Sequence, residues 1–144
     1  MMHRNSRRLG RRPREGQSLV EFALVFPIFI LLLAGIIDFG LGLYSYNTII
    51  NAAREGARLG VTNCTATNCA AAVQARTVAN SNGLLAGGNV TVSCATAAGA
   101  AEACTASKAG DSVNVQVNYQ YRMIWPLTFG TQIPMGSSLT MMLE

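Results

Sequence analysis

Few side chains in this sequence can do chemistry, and their types narrow what it can be. Its 144 residues include a single histidine, His3, and four cysteines. Past the long apolar run the carboxylates are Glu55, Glu102, Asp111 and Glu144, with no histidine among them. That region has no glycine-rich phosphate loop and no carboxylate pair spaced for general acid–base work. The inventory predicts no enzyme, no catalytic residue, no cofactor and no small-molecule substrate. Cys64, Cys69, Cys94 and Cys104 are spaced C-x4-C and C-x9-C, which suits zinc poorly, and His3 lies on the far side of the apolar run, so no metal site is expected. Disulfides are the better use of these thiols. Four cysteines permit three pairings, and short loop closure favours Cys64–Cys69 with Cys94–Cys104.

The other chemistry available is at a peptide bond. Gly16-Gln17-Ser18-Leu19-Val20-Glu21-Phe22 ends a basic leader and opens an apolar helix. This stretch resembles the class III signal of type IV pilin-like proteins, which implies a cut after the glycine; Gly16 has no side chain, so a protease can approach its backbone closely. Such a cut would leave a new amine on Gln17 and make Glu21, at the edge of the apolar run, the fifth residue of the mature chain. A carboxylate at the edge of hydrocarbon is costly alone, which favours pairing Glu21 with such an amine on a neighbouring subunit. The simpler use of Glu21 is local. With Ser18 it fits a capping box that starts a helix near Gln17 or Ser18.

Charge and hydropathy position these groups. Arg4, Arg7, Arg8, Arg11, Arg12 and Arg14 crowd the leader, residues 1–16, against the single acid Glu15. Gly10, Pro13 and Gly16 add to a composition that reads as disordered. The remainder, with Arg54, Arg58, Arg76, Lys108 and Arg122 against six acids, is close to neutral. A basic tail can bind nucleic acid, but these arginines directly precede an apolar run, so the topological reading is better supported and no nucleic-acid partner is expected. Phe22–Ile37 carries no charge, and the run continues past Asp38 to Leu43. Its Leu, Ile, Val and Phe favour bilayer insertion by roughly 4–7 kcal/mol, against about 3 kcal/mol for Asp38 even at the bilayer centre. A transmembrane segment at about 22–43 follows, and the lipid bilayer is the first partner. The positive-inside rule keeps the N-terminus in the cytoplasm and sends the C-terminal region across, where disulfides persist.

Beyond the span, Tyr46, Ile49, Ile50, Ala53 and Ala57 recur at helical spacing, with Asn47, Asn51, Arg54, Glu55 and Arg58 opposite. The helix should therefore run on to about Gly60, kinked modestly at Pro27, with Gly56 and Gly60 easing its end. Residues 17–60 in one helix would measure about 66 Å. Residues 61–69 read as a loop, Ala70–Asn80 as a short helix closed by Asn82-Gly83, and Val90–Val92 as a strand. Residues 95–111 form an Ala/Gly-rich loop. Ser112–Tyr121 alternates cleanly, with Val113, Val115, Val117, Tyr119 and Tyr121 on one face. Ile124–Leu127 reads as an apolar turn in the core, and Ser137–Leu143 as a last strand. The fold class is an α+β membrane protein: a long helix, half transmembrane and half amphipathic, a short helix, and a small three-stranded antiparallel sheet. Its parts are a leader at 1–16, the long helix at 17–60, and a small exported α+β domain at 61–144.

Three stretches carry a family resemblance. Gln17–Pro27 (QSLVEFALVFP), Gly35–Gly40 (GIIDFG) and Asn51–Arg58 (NAAREGAR) resemble the TadE-like family. The Gly16–Glu21 signal itself resembles that of type IV pilin-like proteins. The resemblance covers about residues 16–60. It implies a pseudopilin or minor pilin of the bacterial tight-adherence (Flp) pilus system, at the inner membrane, with the outer domain entering a pilus or staying membrane-bound. The implied partners are a prepilin peptidase acting around Gly16, Gln17, Glu21 and Phe22, other pilins, and the pilus assembly platform. Glu21, Asp38, Arg54 and Arg58 are candidates for subunit contacts. The cysteines and the C-terminal Thr140-Met141-Met142-Leu143-Glu144 depart from the family pattern. Two rival readings exist: a secreted domain cut by signal peptidase near Gly40-Leu41-Gly42, and an uncleaved membrane anchor with an adhesive or binding role.

Overall fold

A computed structural model describes residues 15–63, 68–105, 108–124 and 131–143. Helix α1 runs Glu15–Asn63 with Pro27 inside it, and α2 runs Cys69–Ala79. Strands follow at Val90–Ala95 (β1), Ala101–Glu102 (β2), Ser112–Arg122 (β3) and Gln132–Met142 (β4). The α+β class and the antiparallel sheet agree with the sequence. Among the described residues the sheet has four strands, not three, in the order β2-β1-β3-β4. The leader at 1–14, expected to be disordered, lies outside the described residues.

The chain divides into two compact units after Ile37. The first, as far as it is described, is helix alone. Its large side chains, including Leu19, Phe22, Leu24, Phe29, Leu32 and Ile37, are exposed. Among the described residues α1 is the one helix long and apolar enough to cross a membrane. Side chains this apolar left bare in water would be costly, and a lipid environment removes that cost.

The second unit begins at Asp38. Its core is Ile49, Ala52, Ala53 and Ala57 from α1, Cys69 and Val73 from α2, and Val90, Cys94, Val113, Val115 and Val117 from the sheet. The covered side of α1 is Asp38, Gly42, Ser45, Thr48, Ile49, Ala52, Ala53, Gly56, Ala57 and Gly60. Apart from Ile49 these are small or short polar residues. Tyr46, expected on the buried face, is 42% exposed, because small residues rather than large ones let α2 and β3 lie close. A Cβ on Gly56 would overlap Thr77 Oγ1 and stand 3.3 Å from the Val73 carbonyl oxygen. One on Gly60 would stand 3.0 Å from Val113 Cγ1. These glycines therefore serve close packing in the helix interior, not helix termination, and α1 continues to Asn63.

In the sheet, β3 buries Val113, Val115, Val117 and Tyr121, while Gln116, Asn118 and Gln120 face outward. This is the alternation of an antiparallel sheet with one wet face. Strand β4 pairs with β3 from Ser112↔Met142 to Arg122↔Gln132, so it starts well before Ser137. Pro134 is accommodated because β4 is an edge strand. Asn114 Nδ2 donates to Ser138 Oγ at 3.0 Å and to Thr140 Oγ1 at 2.7 Å across the pair. The 95–111 segment, expected as loop, contains β2, held opposite β1 at Cys94↔Glu102. After α2, Asn82 and Gly83 adopt left-handed φ of 50° and 80°, as the Asn-Gly turn predicts.

Candidate functional site

The N-terminal candidates share the first turns of α1. Gly16, Gln17, Glu21 and Phe22 are all exposed, and among the described residues no side chain lies within 4 Å of where a Gly16 Cβ would be. Glu15, Gly16 and Gln17 are already helical, so Ser18 is not the N-cap. The Gln17 side-chain amide instead donates to Glu21 Oε1 at 3.2 Å, one turn on. Phe22 stacks with Phe26, ring centroids 5.2 Å apart. The Glu21 carboxylate is exposed.

Asp38 is engaged within its own chain. It is 9% exposed. The Tyr121 hydroxyl lies 2.8 Å from Asp38 Oδ1 and 3.1 Å from the Asp38 carbonyl oxygen, donating to that pair. The Ile124 N–H donates to the same Oδ1 at 3.3 Å. A carboxylate on an apolar helix thus has donors in place, which offsets its desolvation. One turn further, Gly42 sits where a Cβ would be 3.7 Å from the Tyr121 ring. Burial first, and then the hydrogen bond to Asp38, push the Tyr121 phenol up to about 12. Asp38, a candidate for subunit contact in the sequence, is thus also an anchor within the chain. Ile124, expected in the core, is 65% exposed, and Trp125–Leu127 lie outside the described residues.

The arginines of α1 differ from one another. Arg58 pairs with Glu55 at 3.3 Å, and Arg76 of α2 approaches the same oxygen at 3.8 Å. These are largely exposed pairs and add little to stability. Arg54 is exposed and has no salt bridge among the described residues.

Cys94 and Cys104 form a disulfide, Cα atoms 5.2 Å apart, across the β1–β2 hairpin. Cys69 is buried and is not a free thiol, while Cys64 lies outside the described residues. Among the described residues no group of His, Cys, Asp and Glu could hold a metal ion.

Sequence reasoning passed over Asp111. Its Oδ2 accepts from the Lys108 N–H at 2.6 Å and its Oδ1 from the Ala97 N–H at 3.1 Å. Its carbonyl accepts from the Leu143 N–H at 2.7 Å, and the Leu143 carbonyl accepts from the Gly110 N–H at 2.9 Å. One residue therefore joins the β1–β2 turn, the entry to β3 and the end of β4. The Lys108 N–H holds the Asp111 carboxyl below its ordinary value, with the Ala97 N–H acting in the same direction against partial desolvation. The only signal in the sequence was an acid at a Gly-Asp turn.

The helix with Gly16 at its start and Arg58 near its end is also where a comparison with protein families succeeds. Residues 16–58 match the model of the TadE-like protein family. The match takes in Gly16, Gln17, Glu21, Asp38, Arg54 and Arg58 and stops before α2. The TadE-like segment is just under a third of the chain, so the sheet and its disulfide lie beyond what the family describes. No curated protein and no solved structure matches the chain.

Proposed function

We propose that this chain is a pseudopilin or minor pilin that takes part in assembling a tight-adherence, type IV-like pilus. The observation that carries the reading is the TadE-like match over residues 16–58, which begins at the glycine that separates the basic leader from the apolar helix. In this reading a prepilin peptidase cuts after Gly16, an exposed residue near the start of the described part of α1. The new amine on Gln17 and the exposed Glu21 carboxylate then supply opposite charges for contact between subunits. The leader stays on the cytoplasmic side of the inner membrane, a segment at about 22–43 spans it, and the small domain that follows folds outside, where its disulfide is stable. The chain carries out no catalysis of its own. Its partners are the peptidase, other pilins and the assembly platform.

The test is the mass and N-terminal sequence of the protein from cells with and without a prepilin peptidase. A mature chain starting at Gln17 only when the peptidase is present is the expected result. A start near Leu43 would refute the reading in favour of signal peptidase, and an intact Met1 in peptidase-bearing cells would leave a plain anchor.

A further inference from the structure

Two glycines of the second unit have no structural need to be glycine. Gly136 lies inside β4, where the pairing with β3 runs unbroken from Ser112↔Met142 to Arg122↔Gln132, so it marks no bulge. Neither Gly136 nor Gly88 has a positive φ. A Cβ on Gly136 would make ordinary contacts, 3.6 Å from the Val117 carbonyl oxygen and 3.7 Å from Asn118 Oδ1. One on Gly88 would meet nothing within 4 Å among the described residues. Gly56 and Gly60 differ, since a Cβ there would crowd Thr77 or Val113. A glycine inside a strand weakens it, and one that serves neither a bulge nor close packing points to a molecule approaching the backbone.

Both glycines line one open cleft of about 570 Å³, within the range of about 300–1,000 Å³ usual for ligand sites. The cleft lies where β1 stops pairing with β3, at Val90↔Val117, so that β3 has no strand on that side from Asn118 onward. Its polar lining is Asn89, Asn118 and Gln120, and its apolar lining includes Leu84, Tyr119 and Pro134. Among the described residues no Asp, Glu, Lys, Arg or His lines it. The side-chain amides of Asn118 and Gln120 are exposed and form no hydrogen bond with the described residues. The Asn89 side-chain amide donates to the Asn118 carbonyl oxygen at 3.0 Å. That bond occupies the first acceptor on the open edge of β3, which discourages a peptide strand from extending the sheet there.

We infer that this cleft binds a neutral saccharide chain. A carboxamide both donates and accepts, as sugar hydroxyls do, so the amides of Asn118 and Gln120 can each serve neighbouring hydroxyls. A charged ligand would give up hydration here and find no counter-charge. The apolar surface of Leu84, Tyr119 and Pro134 suits the C–H faces of a sugar ring. Gly88 and Gly136 leave the backbone bare for that ring to lie against. The cleft is open, so a chain longer than the site can run on past it. The site belongs to the second unit alone. It gives the exported domain a ligand and stands whether or not the chain is a pilin.

Saturation-transfer NMR on the full-length protein in phospholipid nanodiscs reads binding with no sugar detergent present. The probes are maltotriose, cellotriose and chitotriose, with trigalacturonate as the acidic comparison and triglycine as the peptide comparison. The expected result is saturation of at least one neutral trisaccharide and of neither comparison. Asn118→Ala and Gln120→Ala should each lower its affinity about tenfold, the worth of a single hydrogen bond. Gly136→Leu should abolish binding by filling the cleft while the sheet's circular dichroism is kept. Gln116→Ala, exposed on the outward face but outside the cleft, should leave binding unchanged. Should Gly136→Leu disturb the sheet, the two amide variants decide, because both side chains are exposed. No saturation of any neutral trisaccharide overturns the proposal. So does binding that survives the paired Asn118→Ala, Gln120→Ala variant, and so does a preference for trigalacturonate or triglycine.

Discussion

Replacing Gly56 by alanine separates two effects of opposite sign. Alanine is favoured over glycine inside a helix by about 1 kcal/mol. Against this, the new methyl would overlap Thr77 Oγ1 and press on the Val73 carbonyl oxygen at 3.3 Å. Neither atom can give way easily. Thr77 is fully buried, and its hydroxyl is committed to the Val73 carbonyl at 2.8 Å. Relief requires α2 to move off α1 and opens the packing around Val73. Overpacking of this kind costs about 1–3 kcal/mol, and with two rigid obstacles the upper half of that range applies, leaving a net loss of about 1–2 kcal/mol. For a unit of this size that lowers the melting temperature by roughly 5–15 °C. Thermal melts of the full chain in mild detergent, followed by the sheet signal with disulfides intact, read the effect. Thr77→Ala removes the obstructing hydroxyl, so the double variant should show a coupling of about 1 kcal/mol or more, in the direction of rescue. Gly40→Ala is the matched control: no atom lies within 4 Å of its Cβ position, and no loss is expected. A Gly56→Ala protein more stable than the parent would refute the close approach of the two helices.

Four further outcomes follow from the same geometry. Tyr121 is raised to about 12 in the folded state, above the ordinary value of 10.0, so the stability it contributes is present below pH 10 and is lost as pH rises towards 12; alkaline denaturation of Tyr121→Phe should show a shallower loss in that window. Asp111 is lowered from 3.8, so its contribution is present above that value and lost as pH falls through the folded value; acid melts of Asp111→Asn should lack that fall and start from a less stable protein at neutral pH. Reduction of Cys94–Cys104, or Cys94→Ser with Cys104→Ser, should lower stability by about 2–3 kcal/mol in denaturant titrations, the range for a short closed loop. Glu21→Ala should still insert into membranes but assemble poorly, and normal pilus biogenesis by that variant would reduce Glu21 to the partner of the Gln17 side chain.

The parts of this fold written in local periodicity could be read from the sequence. The apolar run of α1 and the alternation of β3 are of that kind, because every second or every third to fourth residue answers to the same environment. The parts that failed depend on a distant partner. Strand β2 is two residues long and exists because β1 offers it a ladder at Cys94 and Ala95. The first half of β4 holds Pro134 and Gly136, which argue against a strand until its edge position is known. Tyr46 was assigned to the buried face by hydrophobicity, whereas close packing against α2 selects for small side chains, and the buried face turned towards Ala52, Gly56 and Gly60. At the candidate site, the exposed place of Gly16 and Glu21 at the start of the apolar helix was legible from their order relative to leader and span. The anchor of Asp38 was not, since Tyr121 stands 83 positions away.

That anchor also bears on where the chain is cut. The rival site near Gly40-Leu41-Gly42 lies inside the second unit, which begins at Asp38. Cutting there would remove Asp38 and leave the Tyr121 hydroxyl, on a residue only 6% exposed, without the carboxylate and carbonyl that accept its proton. A buried donor stripped of its acceptors costs about 1–3 kcal/mol. It would also strip the first covered turn of α1 from the Tyr121 and Met135 side chains that pack near Gly42. A cut after Gly16 removes none of these contacts. The folded unit is built around a helix that enters it already formed at Asp38, and this weighs for a protein that keeps its apolar helix after processing and against one that sheds it.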